Sequence, residues 1–223
     1  MKKLLLGLMV LAGTSAMATI VGTKHDLSSA APAGQVKTNT GQVCVFCHTP
    51  HNAAAVASQL IPLWNHTTTA TATWQMYTNA NVAVANLQGT VDASPTGASL
   101  ACFSCHDGTV AVGAIGNIPN DVASITYTAG GNVNGTGLIT GGNTLLGSDL
   151  RNDHPIAITY RNDLDTGLVA AASIGAARLF PTNATGNKVQ CASCHDVHTN
   201  AAGTPFLRAS MVGSALCRLC HVK

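Results

Sequence analysis

All eight cysteines of the chain fall in four copies of one pattern, Cys-x-x-Cys-His. The copies are Cys44/Cys47/His48, Cys102/Cys105/His106, Cys191/Cys194/His195 and Cys217/Cys220/His221. Two thiols at this spacing suit thioether bonds to the two vinyl groups of a porphyrin, and the histidine that follows is then held beneath the ring to bind iron. Cys₄ zinc sites, redox dithiols and exported disulfides also use paired cysteines. None of them requires a histidine after the second cysteine. With nine histidines among 223 residues, four coincidences in four are negligible. The pattern predicts four haem c groups and leaves no cysteine over.

Each iron needs a ligand on its other face. Five histidines lie outside the motifs: His25, His51, His66, His154 and His198. Past the N-terminal apolar segment only Met76 and Met211 could compete, too few for four irons. Bis-histidine ligation at every iron is therefore expected, with lower potentials than His/Met ligation gives. One chain uses at most four of the five, so at least one is spare or serves elsewhere. His51 and His198 follow a motif histidine by three residues and reach a different haem more readily than their own. Which distal ring serves which iron stays open.

These groups need a chain to position them, and its composition is unusual. Residues 1–18 read as a secretory signal: Lys2 and Lys3, an apolar run from Leu4 to Ala12, and Ala16-Met17-Ala18 for cleavage. The run is too short to span a bilayer, which takes about 20 residues. The expected product is exported, at the cell surface or outside it, with the periplasm as the alternative, and residues 19–223 form one tetrahaem domain. Removal of the signal leaves nine basic side chains against nine Asp, and Glu is absent. Only 9% of residues are charged, against roughly 25% in ordinary domains. No basic patch is available for nucleic acid, and no later segment has the length of a membrane span. Of the apolar fraction of 46%, thirty-four residues are alanine, and the aromatics are only two Trp, three Tyr and four Phe. Four haems stacked at the centre would fill the place of the missing large side chains.

Helical turns are expected at each motif, with much irregular chain and little strand between them. Residues 128–147, rich in Gly, Asn and Thr, read as a long loop or loose hairpin. The alanine-rich run 168–179 predicts a short helix ending before Pro181. The block at 44–54 resembles that at 191–202, which suggests two related halves. Asp107 and Asp196 follow motif histidines and read as solvated turn residues. Trp64 and Trp74 are candidates to pack on porphyrin faces, and the five arginines to neutralise propionates. The sequons at Asn65, Asn134 and Asn183 read as coincidence in a Thr-rich chain.

A compact domain of about 205 residues has a radius of gyration near 17 Å. Four haems inside it lie close together, so electrons should hop from iron to iron. His221 lies two residues from the end of the sequence and His25 is seventh in the expected mature chain. Little polypeptide remains to cover the last haem, and exposed apolar surface marks an interaction site. With a histidine in excess, a neighbouring copy could complete that haem, His51 being the first candidate donor and His25 the second. Head-to-tail contact of this kind does not close and generates a filament.

Several blocks carry a resemblance: Lys24-His25-Asp26-Leu27-Ser28, CVFCHTPHN at 44–52, Pro62-Leu63-Trp64-Asn65-His66, CFSCHDGTVA at 102–111, His154-Pro155-Ile156, CASCHDVH at 191–198 and the final CRLCH. Together they resemble outer-surface multihaem cytochromes of metal-reducing bacteria, most of all the tetrahaem OmcE type that polymerises into extracellular filaments. The resemblance implies a multihaem cytochrome c fold, mostly coil with short helices, bis-histidine ligation and haems stacked through the fibre. It also implies that His51 is the kind of residue lent to the next subunit. The partners expected are other copies of the chain, redox partner cytochromes and extracellular electron acceptors. A soluble periplasmic tetrahaem shuttle is the runner-up. An enzyme, such as a haem reductase, would need an open iron position and nearby acid–base groups, and the histidine supply, absent Glu and scattered Asp argue against one.

Overall fold

The computed structural model describes residues 20–53, 61–78, 80–81, 87–182, 185–199 and 206–222. The expected signal segment and the Asn183 sequon lie outside the described residues. Regular structure is sparse and gathers at the cysteine motifs. A 3-10 turn covers Cys44–Phe46, helix α1 spans Gly97–His106, α2 spans Cys191–Cys194 and α3 spans Ala215–Arg218. Each motif therefore sits on a helical turn. Strand β1 (Lys37–Thr38) pairs antiparallel with β2 (Tyr127–Thr128). Strands β3 (Ile158–Thr159), β4 (Phe180–Thr182) and β5 (Thr185–Val189) form a second antiparallel sheet in the order β3-β5-β4. The remainder is turns and irregular chain, so the fold is mostly coil with short helices and little strand. No helix among the described residues is long and apolar enough to cross a membrane.

Apolar burial is divided among three small clusters, and a motif cysteine packs on each. Cys191 lies against Met76, Phe103, Leu150 and Ala157; Cys105 against Val36, Val112 and Ile139; Cys220 against Tyr160, Ile174 and Ala177. Trp74 meets Phe103 edge-on at 5.0 Å and belongs to the first cluster, as does Met76. A buried side chain of this kind contributes about 1.5–3 kcal/mol, against an ordering cost of roughly 1–2 kcal/mol for every residue fixed. Ten buried residues in these clusters, of seventeen buried hydrophobic residues among those described, are a small core for so much chain.

The run 168–179 is not a helix. Only Ala171–Ser173 makes a 3-10 turn. Leu168 instead forms an antiparallel bridge with His221, and the Val169 amide donates to the Cys220 carbonyl at 2.8 Å. Tyr160 Oη donates to the carbonyls of both Val169 and Cys220. Gly175 turns to φ +63°, which a right-handed helix does not accommodate. Pairing with the fourth motif outweighs the propensity of the alanines. Residues 128–147 form close-set turns: Val133 bridges Gly130 and Ile139, and Asn134 Oδ1 accepts from the amides of Thr136 and Leu138.

Candidate haem-attachment sites

The four motifs share a local geometry. The amides of His48, His195 and His221 donate to the carbonyls of Cys44, Cys191 and Cys217 at 2.9, 3.1 and 2.9 Å, and α1 runs through His106. On such a turn residues i, i+3 and i+4 share a face, so both thiols and the imidazole project together. Beyond the turn, His48, His195 and His221 enter single antiparallel bridges with Trp64, Leu207 and Leu168. In the first, Thr49 N donates to Leu63 O and Asn65 N to Cys47 O. In the third motif, Asp196 N donates to Phe206 O and Arg208 N to Cys194 O. Leu63 and Phe206 occupy the same place in the two bridges, with φ of +56° and +58°. The kinship of the two blocks thus extends to the backbone.

Three motif imidazoles each face one non-motif imidazole. Ring centres are 6.1 Å apart for His25 and His106, 6.1 Å for His48 and His198, and 6.3 Å for His154 and His221. An iron taking one nitrogen from each ring, at about 2 Å per bond, needs centres roughly 6 Å apart. Ordinary ring packing gives similar spacings, as Trp64 does with His48 and His66. A threefold pairing of one motif ring with one outside ring is more particular. Nδ1 of His48, His106 and His154 lies 2.8, 2.7 and 3.0 Å from the carbonyls of Pro62, Thr144 and Pro155. A carbonyl only accepts, so Nδ1 carries the hydrogen and the Nε2 lone pair is left for a metal.

The other two candidates differ. His66 is 1% exposed, its Nδ1 beside the Thr67 carbonyl and its Nε2 3.0 Å from the Ala111 carbonyl, near Cys105 Sγ. His51 is exposed beside the first motif. Burial, followed by the nearness of His106, His195 and His198, pushes His25 down to about 4. Burial also lowers His66 and His106, partly offset by their backbone hydrogen bonds. Neutral imidazole is the form that binds metal.

The motifs adjoin one another in sequence order. Burial, then the nearby Cys47, raises the Cys105 thiol. A hydrogen bond with Cys191, then burial, raises the Cys102 thiol, and the same bond lowers that of Cys191. Ser99 Oγ accepts from the Cys191 amide and donates to Gln190 Oε1, a buried polar seam between α1 and α2. Burial, then Cys220, raises Cys194. Burial, then Cys44, pushes Cys47 up to about 11. No group of three or more His, Cys, Asp or Glu that could hold a bare metal ion gathers among the described residues. A porphyrin brings four nitrogens of its own and asks the protein for only two, which is what each facing pair offers.

Asp107 is not solvated, contrary to the expectation from sequence. It is 6% exposed and accepts from Thr69 Oγ1, Thr71 Oγ1 at 2.8 Å, and Thr109 N and Oγ1 at 3.0 and 2.8 Å. Burial alone would raise its pKa, but these donors hold it below the usual carboxylate value. Gly108 next to it has φ +77°, and a Cβ there would come within 2.8 Å of the Ile139 carbonyl. Asp196 is likewise engaged, by Arg208 Nη1 at 3.0 Å. The Thr-rich run 67–73 was the available signal for the Asp107 site; sequence reasoning passed over it. It also missed Asn65, 1% exposed, whose amide joins the first motif to the chain after the second. Arg151, Arg161 and Arg208 pair with Asp149, Asp163 and Asp196, so among the described residues Arg178 and Arg218 are the arginines outside any ion pair. Compared with known families and with curated proteins, the chain finds no match.

Proposed function

We propose that this chain is an exported electron-transfer protein carrying four haem c groups, one thioether-linked at each Cys-x-x-Cys-His. The observation that carries this is the threefold facing of a motif imidazole by an outside imidazole at 6.1–6.3 Å, with anchored Nδ1 atoms among the paired rings. When bound, each haem supplies a one-electron Fe(III)/Fe(II) couple. The chain's residues capture the porphyrins through the eight thiols, aim the imidazoles and exclude water. His25, His198 and His154 are assigned as distal partners of His106, His48 and His221, with His66 as a buried structural residue. The adjoining motifs favour a relay in sequence order, and the small apolar clusters favour porphyrins as the remainder of the core.

The proposal extends to assembly. The low charge density and the exposed His51 support a filament subunit at the cell surface, passing electrons between redox partner cytochromes and extracellular acceptors. In that reading His51 is offered to a neighbouring copy. A periplasmic shuttle would share the chemistry and remain monomeric. Mass spectrometry of the chain made in a cytochrome-maturing host is expected to find four added haem masses. Fewer than four would refute the tetrahaem assignment. Electron micrographs of the same material then separate filament from shuttle.

A further inference from the structure

Among the paired imidazoles, His25 is held in a different way. His48, His106 and His154 have their Nδ1 fixed by backbone carbonyls. The buried Nδ1 of His25 finds no hydrogen-bond partner among the described residues. Its ring is instead covered by Phe206, with centres 4.7 Å apart and planes within 8° of parallel. Phe206 is 6% exposed and sits at φ +58°, a backbone conformation uncommon for an aromatic. The bridge does not itself require an aromatic there. At the corresponding place beside the first motif, Leu63 adopts φ +56° and is 52% exposed.

We propose that Phe206 is a positioning residue that fixes the plane of His25 across that of His106, so that the iron they share lies between crossed imidazoles. The proposal rests on the tetrahaem reading above. The two planes meet at 79°, with His106 set by the Thr144 carbonyl and His25 by the stack. The planes of His154 and His221 cross at 68°, whereas those of His48 and His198 are only 24° apart. Crossed imidazoles donate into different iron dπ orbitals and leave them close in energy, giving a strongly axial low-spin ferric resonance. Near-parallel planes donate into the same orbital, split the pair and give a rhombic one. A freely turning His25 would lose this distinction.

The test is low-temperature electron paramagnetic resonance of the oxidised four-haem protein, wild type against Phe206→Leu and Phe206→Tyr, with haem content fixed by mass. The wild type is expected to show strongly axial signals from the two crossed pairs and a rhombic signal from His48/His198. Phe206→Leu, a residue already tolerated at this φ in position 63, is expected to move one axial signal, one haem in four, toward rhombic. Phe206→Tyr preserves the stack and should preserve the signal. An unchanged axial set in Phe206→Leu overturns the proposal, and so does a wild-type spectrum with no strongly axial component, for which no variant is needed. A chain that carries no haem would instead overturn the function beneath it, so the two failures are told apart by mass alone.

Discussion

Replacing Asn65 with leucine removes a buried side chain that makes four hydrogen bonds. Nδ2 donates to the carbonyls of Val45 at 2.7 Å and Asn117 at 3.1 Å, and Oδ1 accepts from Asn117 N at 2.8 Å and Nδ2 at 2.9 Å. At about 1 kcal/mol net for each bond the loss is about 4 kcal/mol, less whatever Asn117, which is only half-buried, recovers from water. Val45 is buried, and its carbonyl has no such recourse. A net cost of about 3 kcal/mol is a large share of a stability of roughly 5–15 kcal/mol. With a urea slope of about 2 kcal/mol per molar, the midpoint of the haem-loaded protein should fall by about 1.5 M. Urea titration followed by far-UV and Soret circular dichroism measures it. Because Asn65 ties the first motif to residues beyond the second, the Soret signal should loosen before the fourth motif is disturbed. A midpoint within about 0.5 M of wild type would refute the view that this amide is a principal link between the first two motifs.

The remaining expectations concern ligands, pH and assembly. His154→Ala should leave one haem of four high-spin while the fold survives, since His154 is exposed; a wholly low-spin spectrum would contradict its assignment. His66→Gln should lower stability without adding a high-spin signal, because Nε2 faces the Ala111 carbonyl. Asp121, held below the usual carboxylate value by Thr40 and then Gly41, contributes stability above the unfolded value near 3.9 and loses it as pH falls through its lower folded value. The gap between wild type and Asp121→Asn in urea midpoint should therefore narrow below about pH 4. His51→Ala should suppress filaments in electron micrographs while the four-haem mass persists.

The helical turns at all four motifs were legible in the sequence because Cys-x-x-Cys-His is a local device: one turn suffices to align its three side chains. Scarcity of large apolar residues was also readable, and the three small clusters bear it out. Pairing was not readable. His25 reaches His106 across 81 positions and His48 reaches His198 across 150, distances set by turns that leave no periodic signature. The run 168–179 misled for a related reason. Its alanines favour a helix in isolation, but the fourth motif has no strand partner of its own and takes Leu168 and Val169. Asp107 was misjudged because its three threonine neighbours come from two separate segments, Thr69 and Thr71 from one and Thr109 from the other.

The distribution of order in the chain follows from what must be held still. Three of the four motif histidines lie in one-residue bridges, and one ring in each facing pair, His48, His106 or His154, rests on a carbonyl through Nδ1. Backbone carbonyls come from turns as readily as from helices, so fixing an imidazole takes no extended element, only a turn whose own shape is secured. Asx and Thr side chains secure those turns: Asp26 takes the Gly22 and Ser28 amides, Asn134 the Thr136 and Leu138 amides, Asp107 the Thr109 amide. Each such contact satisfies a backbone donor that irregular chain would otherwise leave open. A chain poor in charge and rich in Thr, Asn and Gly is therefore well suited to hold histidines in place without long helices. Substitutions at these caps should then disturb a particular imidazole pair, whereas changes in exposed chain between them should leave all three pairs as they are.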